Sequence, residues 1–381
     1  MRVLLTGGGT SGHVNPALAI ADIIKKKDPK AVFAYVGTER GIEKRLVEKE
    51  GYPFYPIKIQ GVSRSFSLSN LRTAYYVMTA PSVCKKIIKE FKPDVVIGTG
   101  GYVCWAPLKA AAEMGIPTIV HESNSIPGLA VKRLEGKIDL LLTNFKSTAE
   151  GLANPEKAVN VGNPTRSSFG EMTKAEARAR LGIPESVKFV ILSFGGSLGA
   201  SKINEAAIDV MRGFSATHED VMHFHSGGKN FYTGAMQLFA AYGLEKNPRL
   251  DLREYIFDMS TYMTAADLVI CRAGAMTITE LSMMKKAAIL IPSPNVTDNH
   301  QYKNAAILRD AGAAALIEEK DLDMERIVSE VEGIYADESR RDAMSEAISE
   351  FAISDVDERI YAELSRLLRN KAKIQDRKSV V

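Results

Sequence analysis

The chain has 381 residues, of which 45% are hydrophobic and 25% charged, with 29 Gly and 15 Pro. This composition is typical of globular proteins and excludes the disordered and fibrous classes. At roughly 100 to 200 residues per domain, the length predicts two folded domains. The three cysteines, Cys84, Cys104 and Cys271, are far apart. Their spacing excludes a disulfide framework or a cysteine zinc site and favours a reducing compartment.

The net charge of +3 is unevenly distributed along the chain. Residues 1–164 carry 22 Lys and Arg against 14 Asp and Glu, a net +8, whereas residues 165–381 carry a net −5. A basic half suits nucleic acid, anionic lipid or a phosphorylated substrate, and charge alone does not choose among them. The apolar run at residues 3–5 is too short for a signal peptide, and no stretch reaches the roughly 18 apolar residues of a membrane span. We therefore expect neither secretion nor a transmembrane helix.

Both halves open with a strand, a glycine-rich turn and a helical stretch, RVLLTGGGTSG at residues 2–12 and KFVILSFGGSLG at residues 188–199. Further β-rich runs alternate with helical stretches, which predicts an α/β fold of two Rossmann-like, doubly wound domains with parallel sheets. These runs are residues 32–36, 95–97, 118–120, 268–271 and 288–291.

The turn-forming Asn-Pro at residues 163–164 predicts the linker between the domains. We expect an N-terminal domain over residues 1–163 and a C-terminal domain over residues 164–339. The stretch 340–369 is rich in helix formers and is predicted to pack back on the N-terminal domain.

The first turn, Gly7-x-Gly9-x-x-Gly12, matches the dinucleotide fingerprint, in which glycines let the backbone approach a diphosphate. The ribose-binding acid expected at the end of the second strand is absent directly after Val36, which weakens an NAD-dependent dehydrogenase hypothesis. A plain tight turn is the structural alternative. Similar turns at residues 98–102 and 195–199 predict two domains facing a ligand cleft.

His13 follows the first turn at the start of a helix. A helix N-terminus disfavours imidazolium, so a neutral ring there suits a general base or an oxyanion partner. A histidine that only caps its helix is the alternative.

Residues 267–281 read as strand, glycine turn and helix start. Backbone N–H groups near residues 275–277 would bind a phosphate, and Glu280 would accept hydrogen bonds from ribose hydroxyls. The alternative is a capping box formed by Thr277 and Glu280, which needs no ligand. The polar segment 298–304 is predicted as a loop at the same strand ends, with a solvated loop as its alternative.

A metal site is not expected. The six histidines form no i, i+4 pair with Glu, and His223 and His225 lie in an apparent strand without a ligand partner. The two Asp-x-Asp sequences, at residues 321–323 and 355–357, are better explained as N-terminal helix caps.

Seven motifs together carry a resemblance to a known family: residues 7–16, 98–102, 121–124, 162–166, 195–200, 271–280 and 300–304. They resemble, in order and over about residues 1–312, the peptidoglycan N-acetylglucosaminyltransferases of glycosyltransferase family 28. The resemblance implies a GT-B fold, with two Rossmann-like domains facing across a deep cleft. It implies that the C-terminal half binds UDP-N-acetylglucosamine (UDP-GlcNAc), the sugar donor. It also implies that the N-terminal half binds lipid I, undecaprenyl-pyrophosphoryl-MurNAc-pentapeptide, with no metal, cofactor or nucleic acid.

Carried onto matching positions, the resemblance places uracil on the backbone of Ile256 and the ribose on Glu280. The other residues that it implies for the sugar donor are Thr10, Ser11, Gly12, Asn124, Arg166, Ser197, Ala275, Met276, Thr277, Ile278, Thr279, His300 and Gln301. Tyr102 and Asn204 are implied on the acceptor side. Ser11, and Cys104 with Trp105, depart from the family pattern and would alter the acceptor pocket.

The implied reaction is an inverting displacement in which the 4-hydroxyl of MurNAc attacks the anomeric carbon as UDP leaves. His13 is predicted as the base or as an oxyanion partner, and Glu122 competes with it for the role of base. Helix N-termini and glycine-turn amides would stabilise the departing diphosphate.

A lipid acceptor requires a surface that approaches a membrane. Leu71, Tyr75 and Met78 recur at helical spacing, and Lys85, Lys86, Lys89 and Lys92 follow. This pattern predicts an amphipathic patch on anionic lipid and a peripheral enzyme at the cytoplasmic face of the membrane. An ordinary core-facing helix is its alternative.

Three rival functions stay open: a UDP-GlcNAc 2-epimerase, the NAD-dependent dehydrogenase and a carbohydrate-binding module.

Overall fold

The structure, a computed structural model, describes the backbone of residues 1–61, 69–165 and 172–379, and their side chains apart from 69–72 and 374–379. The chain divides into two compact units. Unit 1 comprises Met1–Arg166 and Ile353–Val381, and unit 2 comprises Ser167–Ala352. The first crossing between the units thus falls three residues after the predicted boundary.

Unit 1 is built on a parallel sheet of seven strands. They are β1 (Arg2–Thr6), β2 (Val32–Thr38), β3 (Phe54–Ile57), β4 (Val95–Gly98), β5 (Thr118–Glu122), β6 (Leu140–Thr143) and β7 (Ala158–Asn160). Their order is β3-β2-β1-β4-β5-β6-β7, and every neighbouring pair is parallel. The central strands are apolar runs buried on both faces, which only a sheet covered by helices on both sides allows.

Helices cover both faces of this sheet. They are α1 (Ser11–Lys27), α2 (Ile42–Lys49), α3 (Ser69–Phe91), α4 (Trp105–Glu113) and α5 (Leu129–Leu134). Leu4 of β1 packs in a core with α3, α4 and α5, whereas its neighbours Val3 and Leu5 pack in a second core with α1 and α2. Alternate side chains of β1 therefore pack into two different cores, one on each face of the sheet.

Unit 2 repeats the design with six parallel strands. They are β8 (Phe189–Phe194), β9 (Val221–Ser226), β10 (Leu250–Arg253), β11 (Leu268–Cys271), β12 (Ala287–Leu290) and β13 (Ala315–Leu316). Their order is β10-β9-β8-β11-β12-β13. The predicted fold class, two doubly wound Rossmann-like domains, is confirmed.

The helices of unit 2 are α6 (Lys174–Arg180), α7 (Ser201–Val210), α8 (Tyr232–Ala241), α9 (Met259–Ala265), α10 (Ala275–Met283), α11 (His300–Asp310), α12 (Met324–Ala336) and α13 (Glu338–Ser349). A π-helical turn, Met211–Ser215, continues α7. Asp323 caps α12 by accepting a hydrogen bond from the backbone N–H of Arg326 at 2.8 Å, as predicted for the first Asp-x-Asp sequence.

The C-terminal stretch divides between the two units. Met344 of α13 lies in the core of unit 2, so this helix is part of unit 2 and not, as predicted, of the N-terminal domain's packing. The last helix, α14 (Val356–Ser379), belongs to unit 1, where Val356, Ile360 and Leu364 are buried in the core that contains α1. Of residues 340–369, those of α14 thus lie with unit 1.

No helix in the described parts of the chain combines the length and apolarity that crossing a bilayer requires. All three cysteines are free and buried.

Candidate active site

The two glycine turns of unit 1 pack backbone against backbone. Gly9 has φ +87° and Gly101 has φ +76°, a region that favours glycine. A Cβ on Gly101 would lie 2.1 Å from the carbonyl oxygen of Gly8, and one on Gly100 would lie 2.7 Å from Nδ1 of His13. Side chains are therefore excluded here, and the N-terminus of α1 is held beside the second turn.

His13 lies in the first turn of α1, which begins at Ser11 with no side-chain cap at Thr10. Its Nδ1 is 3.1 Å from the carbonyl oxygen of Thr99. A carbonyl only accepts, so Nδ1 carries a hydrogen, and Nε2 is the basic nitrogen whenever the ring is neutral. This tautomer suits a general base at Nε2.

Glu122, at the end of β5, is 3% exposed and its carboxylate is engaged by backbone and side-chain donors. Oε1 accepts from the backbone N–H and the Nδ2 of Asn124 at 3.0 and 3.1 Å, and Oε2 accepts from the Gly128 N–H at 2.9 Å. Glu122 therefore orders the loop that carries Asn124.

The remaining predicted residues of unit 1 lie on the open side of the first turn. Thr10 and Gly12 are exposed, and Ser11 is half-buried. Tyr102 is 38% exposed, and its ring lies against the first turn, 3.2 Å from where a Cβ on Gly9 would be. These groups are accessible to a ligand.

The sequence reasoning missed Glu43, which is fully buried beneath the first turn. Its Oε1 accepts from the backbone N–H and the hydroxyl of Thr38 at 3.0 and 2.5 Å. A Cβ on Gly41 would lie 2.2 Å from this carboxylate. Glu43, the acid that follows β2, thus packs beneath the turn and supports it. The glycines on either side of it, Gly37 and Gly41, were the sequence signal that could have revealed this buried carboxylate.

In unit 2 the turn at residues 195–199 lies directly on a second turn, at residues 227–228. Gly196 and Gly199 have φ +94° and +81°. A Cβ on Gly199 would lie 2.2 Å from the carbonyl oxygen of Gly227. Ser197 is exposed at the tip of the loop.

The N-terminus of α10 has no side-chain cap. Gly274 is the N-cap residue, and Thr277 lies within the first turn, so the capping-box interpretation of Thr277 and Glu280 is wrong. First-turn N–H groups have no partner within a helix, and with the helix dipole they make a site for an anion. Met276 and Thr277 are half-buried at this end.

Ala275, Ile278 and Thr279 contribute side chains to the interior instead. Ile278 is 1% exposed, and Ala275 and Thr279 are each 7% exposed. The Thr279 hydroxyl donates to the Ala275 carbonyl at 3.1 Å. At these three positions only the backbone is suited to a ligand.

Burial raises the pKa of Glu280 to about 7. Among the described residues, no group donates a hydrogen bond to its carboxylate. The charged form is therefore costly until a ligand supplies donors, as two vicinal hydroxyls would.

Ile256 anchors the loop after β10 with a side chain that is 3% exposed. Within the described chain, its backbone N–H and carbonyl have no hydrogen-bond partner. That edge presents one donor and one acceptor, the pattern needed to read a base. The flanking Tyr255 and Phe257 are 45% and 92% exposed.

Residues 300–304 form the start of α11 and are not the predicted loop. His300 donates from Nδ1 to the Thr297 carbonyl at 2.8 Å. Gln301 Oε1 accepts from the Ser293 N–H at 2.9 Å. Asn304, fully buried, donates to the Ala273 carbonyl at 3.3 Å and ties α11 to the turn before α10.

Two predicted residues stand apart. Arg166 lies outside the described residues. Asn204 is 3% exposed in the interior of unit 2, where it hydrogen-bonds to His225 and to two carbonyls. The acceptor-side prediction for Asn204 gains no support from this environment.

No group of three or more His, Cys, Asp or Glu within the described ranges is arranged to hold a metal ion.

Comparison with known proteins matches both units to one family. Residues 3–139 match the glycosyltransferase family 28 N-terminal domain, and residues 190–360 match the family 28 C-terminal domain. The chain is 40% identical over 375 residues, 98% of its length and 100% of the relative's, to a protein of Acetivibrio thermocellus. That relative is named UDP-N-acetylglucosamine--N-acetylmuramyl-(pentapeptide) pyrophosphoryl-undecaprenol N-acetylglucosamine transferase. A Bacillus cytotoxicus protein of the same name is 38% identical over 97% of this chain and 100% of its own length.

Solved structures show the same architecture. MurG from Acinetobacter baumannii has a TM-score of 0.75 at 25% identity, covering 96% of this chain and 99% of its own. The UDP-GlcNAc 2-epimerase from Neisseria meningitidis has a TM-score of 0.62 at 12% identity, covering 96% and 100%, a similarity of fold alone. With both family domains matched in order and full-length relatives at about 40% identity, the chain belongs to glycosyltransferase family 28.

Proposed function

We propose that this chain transfers N-acetylglucosamine from UDP-GlcNAc to the 4-hydroxyl of MurNAc in lipid I, forming lipid II for peptidoglycan and so for cell-wall growth and division. The observation that carries this proposal is the 40% identity over 98% of the chain to a transferase named for that reaction. The N-terminus of α10, which has no side-chain cap, and the half-buried carboxylate of Glu280, which accepts no hydrogen bond from the described residues, support a nucleotide-sugar site.

In this proposal unit 2 binds the sugar donor largely through its backbone. The diphosphate lies at the N-terminus of α10 and along the turn that carries Ser197, uracil pairs with the backbone of Ile256, and the ribose hydroxyls donate to Glu280. His300 and Gln301 complete the contacts of unit 2, and Asn124 and Arg166, which belong to unit 1, are proposed as further donor contacts. Helix and turn N–H groups stabilise the charge that develops on the leaving UDP.

The chemistry is one inverting displacement. The 4-hydroxyl oxygen of MurNAc forms a bond to the anomeric carbon as the bond to the UDP oxygen breaks, which gives a β1,4 linkage. Nε2 of His13 takes the hydroxyl proton, since Nδ1 is committed to the Thr99 carbonyl.

Helix α3 supplies a surface for the membrane that holds the acceptor. Tyr75 and Met78 are 63% and 79% exposed, and Lys86 and Lys89 are exposed on the same face about two and three turns beyond Met78. The opposite face, with Ala80, Cys84, Ile87 and Ile88, packs into the core. The amphipathic interpretation is therefore supported over a core-facing one for the described side chains; that of Leu71 lies outside them. We place the enzyme peripherally at the cytoplasmic face of an anionic membrane.

The reaction is tested with radiolabelled UDP-GlcNAc, with and without a lipid I analogue. We expect label in the lipid product only when the acceptor is present. Release of a free epimerised sugar nucleotide without acceptor would support the 2-epimerase instead and contradict the transferase.

His13→Ala should lower kcat by about a hundredfold or more, because general-base catalysis contributes 10²–10⁴-fold. The KM for UDP-GlcNAc should change little, since the residue acts on the acceptor hydroxyl. Asn15→Ala, an exposed position on the next part of α1, is the matched control and should behave as wild type. A kcat that survives in His13→Ala would remove His13 from the role of base.

Glu280→Gln should weaken UDP binding about tenfold and at the same time stabilise the free protein above pH 7. The folded-state pKa of Glu280, about 7, exceeds its ordinary value of 4.5, so its contribution to stability is complete below pH 4.5 and lost as pH rises through 7. Removing the charge should therefore raise the free energy of unfolding at pH 8 by about 1–3 kcal/mol.

Calorimetry with UDP and urea unfolding at pH 8 measure the two effects of Glu280→Gln. Glu185→Gln, an exposed carboxylate in a loop, makes the same change of charge and should show neither effect. Unchanged UDP affinity in Glu280→Gln would argue against a ribose contact.

Reversing Lys86 and Lys89 to Glu should abolish most binding to vesicles that contain anionic lipid, since each basic residue near the surface contributes about 1 kcal/mol. The matched control is the double reversal of Arg45 and Lys49, two exposed residues of α2. Vesicle sedimentation at physiological salt provides the readout. Equal loss from both pairs would mean that net charge, and not this face of α3, governs binding.

A further inference from the structure

A line of buried polar side chains crosses the interior of unit 2. Its members are Ser215, His223, Ser193, His225 and Asn204, each at most 3% exposed. Successive contacts measure 3.2, 2.8, 2.8 and 3.0 Å. Such a chain in a low-dielectric core is costly unless every group is satisfied, so the direction of its hydrogen bonds is constrained.

The Asn204 end fixes that direction. Its Nδ2 faces the carbonyl oxygens of Gly227 at 3.0 Å and Phe231 at 3.4 Å, and both can only accept. Oδ1 therefore points to His225, and Nε2–H of His225 donates to it. In the neutral ring Nδ1 of His225 then carries no hydrogen, so it accepts from the Ser193 hydroxyl at 2.8 Å, and its 3.0 Å approach to the Ser193 carbonyl is not a hydrogen bond.

The same polarity continues to the other end. The Ser193 hydroxyl is the acceptor for Nε2–H of His223, and Nδ1 of His223 accepts from the Ser215 hydroxyl. Both rings are neutral in this arrangement. Burial lowers the pKa of His225 to about 4 and that of His223 well below its ordinary value, which agrees with it.

The turn that Asn204 holds, residues 227–231, supports two loops of the proposed sugar-donor site. On one side the Asn230 N–H donates to the Leu198 carbonyl at 3.0 Å, and Gly228 packs so closely that a Cβ on it would lie 2.1 Å from the Gly199 nitrogen. On the other side the Gly227 and Gly228 N–H groups donate to the carbonyls of Arg253 and Glu254, at 2.8 and 2.9 Å.

We propose that Asn204 is a positioning residue for the sugar donor: oriented by His225, it holds the turn 227–231, and through it the loop of Ser197 and the segment that leads to Ile256. The inference rests on the proposed function, because these two loops are the proposed diphosphate and uracil contacts. It makes Asn204 act without touching either substrate.

The decisive comparison is between two histidines on the same strand. His225→Leu removes the N–H that orients Asn204, whereas His223→Leu breaks the line two links away and leaves the Ser193 hydroxyl to donate to His225. Both are fully buried, so both should lose stability. Only His225→Leu should weaken UDP binding and raise the KM for UDP-GlcNAc, each by about tenfold, with the KM for a lipid I analogue unchanged.

Rescue provides the second readout. His225→Gln restores an amide N–H where Nε2–H was and should recover UDP affinity to within about threefold of wild type. Amide hydrogen exchange at Asn230 should be faster in His225→Leu than in His223→Leu. Should His225→Leu fail to fold, Asn204→Ser, which keeps an acceptor for His225 but supplies one donor in place of two, takes its place.

UDP affinity is measured by calorimetry on the full chain, so it does not depend on turnover. A wild type that binds UDP but transfers no sugar overturns the proposed reaction and leaves the positioning comparison intact. A wild type that does not bind UDP overturns both. Equal UDP affinity in His225→Leu and His223→Leu, or no rescue by His225→Gln, overturns the positioning role alone.

Discussion

Both proposed binding surfaces depend on one constraint: at their glycine turns, two backbone segments pack so closely that no side chain fits between them. In unit 1 the approach of Gly101 to Gly8 sets the N-terminus of α1, and in unit 2 the approach of Gly228 to Gly199 sets the loop before α7. A parallel sheet brings the carboxyl ends of its strands to one edge, so such turns present their N–H groups there together. The ligand-facing chemistry is thus largely a property of the main chain.

This arrangement resolves an apparent conflict in the charge distribution. The half proposed to bind a diphosphate has a net charge of −5. Within that half α7 and α10 carry no acidic residue in their first turn, whereas α6, α12 and α13 do. Acidic residues are favoured at helix N-termini, so their absence at α7 and α10 leaves the dipole uncompensated where an anion would lie. Local dipoles, and not net charge, decide what this half attracts.

Much of the architecture was predictable because it follows from local pattern. Apolar runs bounded by glycines identified the central strands of both sheets. The destination of residues 340–369 was not predictable, since the apolar stripes of α13 and α14 do not specify which core buries them. The role of Glu280 depended on whether α10 begins after Gly274 or after Thr277, because only the second start would make Thr277 and Glu280 a capping box. Residue spacing in the sequence does not distinguish these two helix starts. The environment of Asn204 depended on His225, a contact between residues distant in sequence.

Unit 1 is discontinuous, and this imposes an order on biosynthesis. Its seventh strand ends at Asn160. The apolar surface that α14 covers stays exposed until Val356, Ile360 and Leu364 have been synthesised. At ribosomal rates of about 5–20 residues per second, that surface stays uncovered for roughly 10–40 s while all of unit 2 is made. Unit 2 is contiguous in sequence and carries no such delay. The unit whose sequence emerges first is therefore the last to be completed.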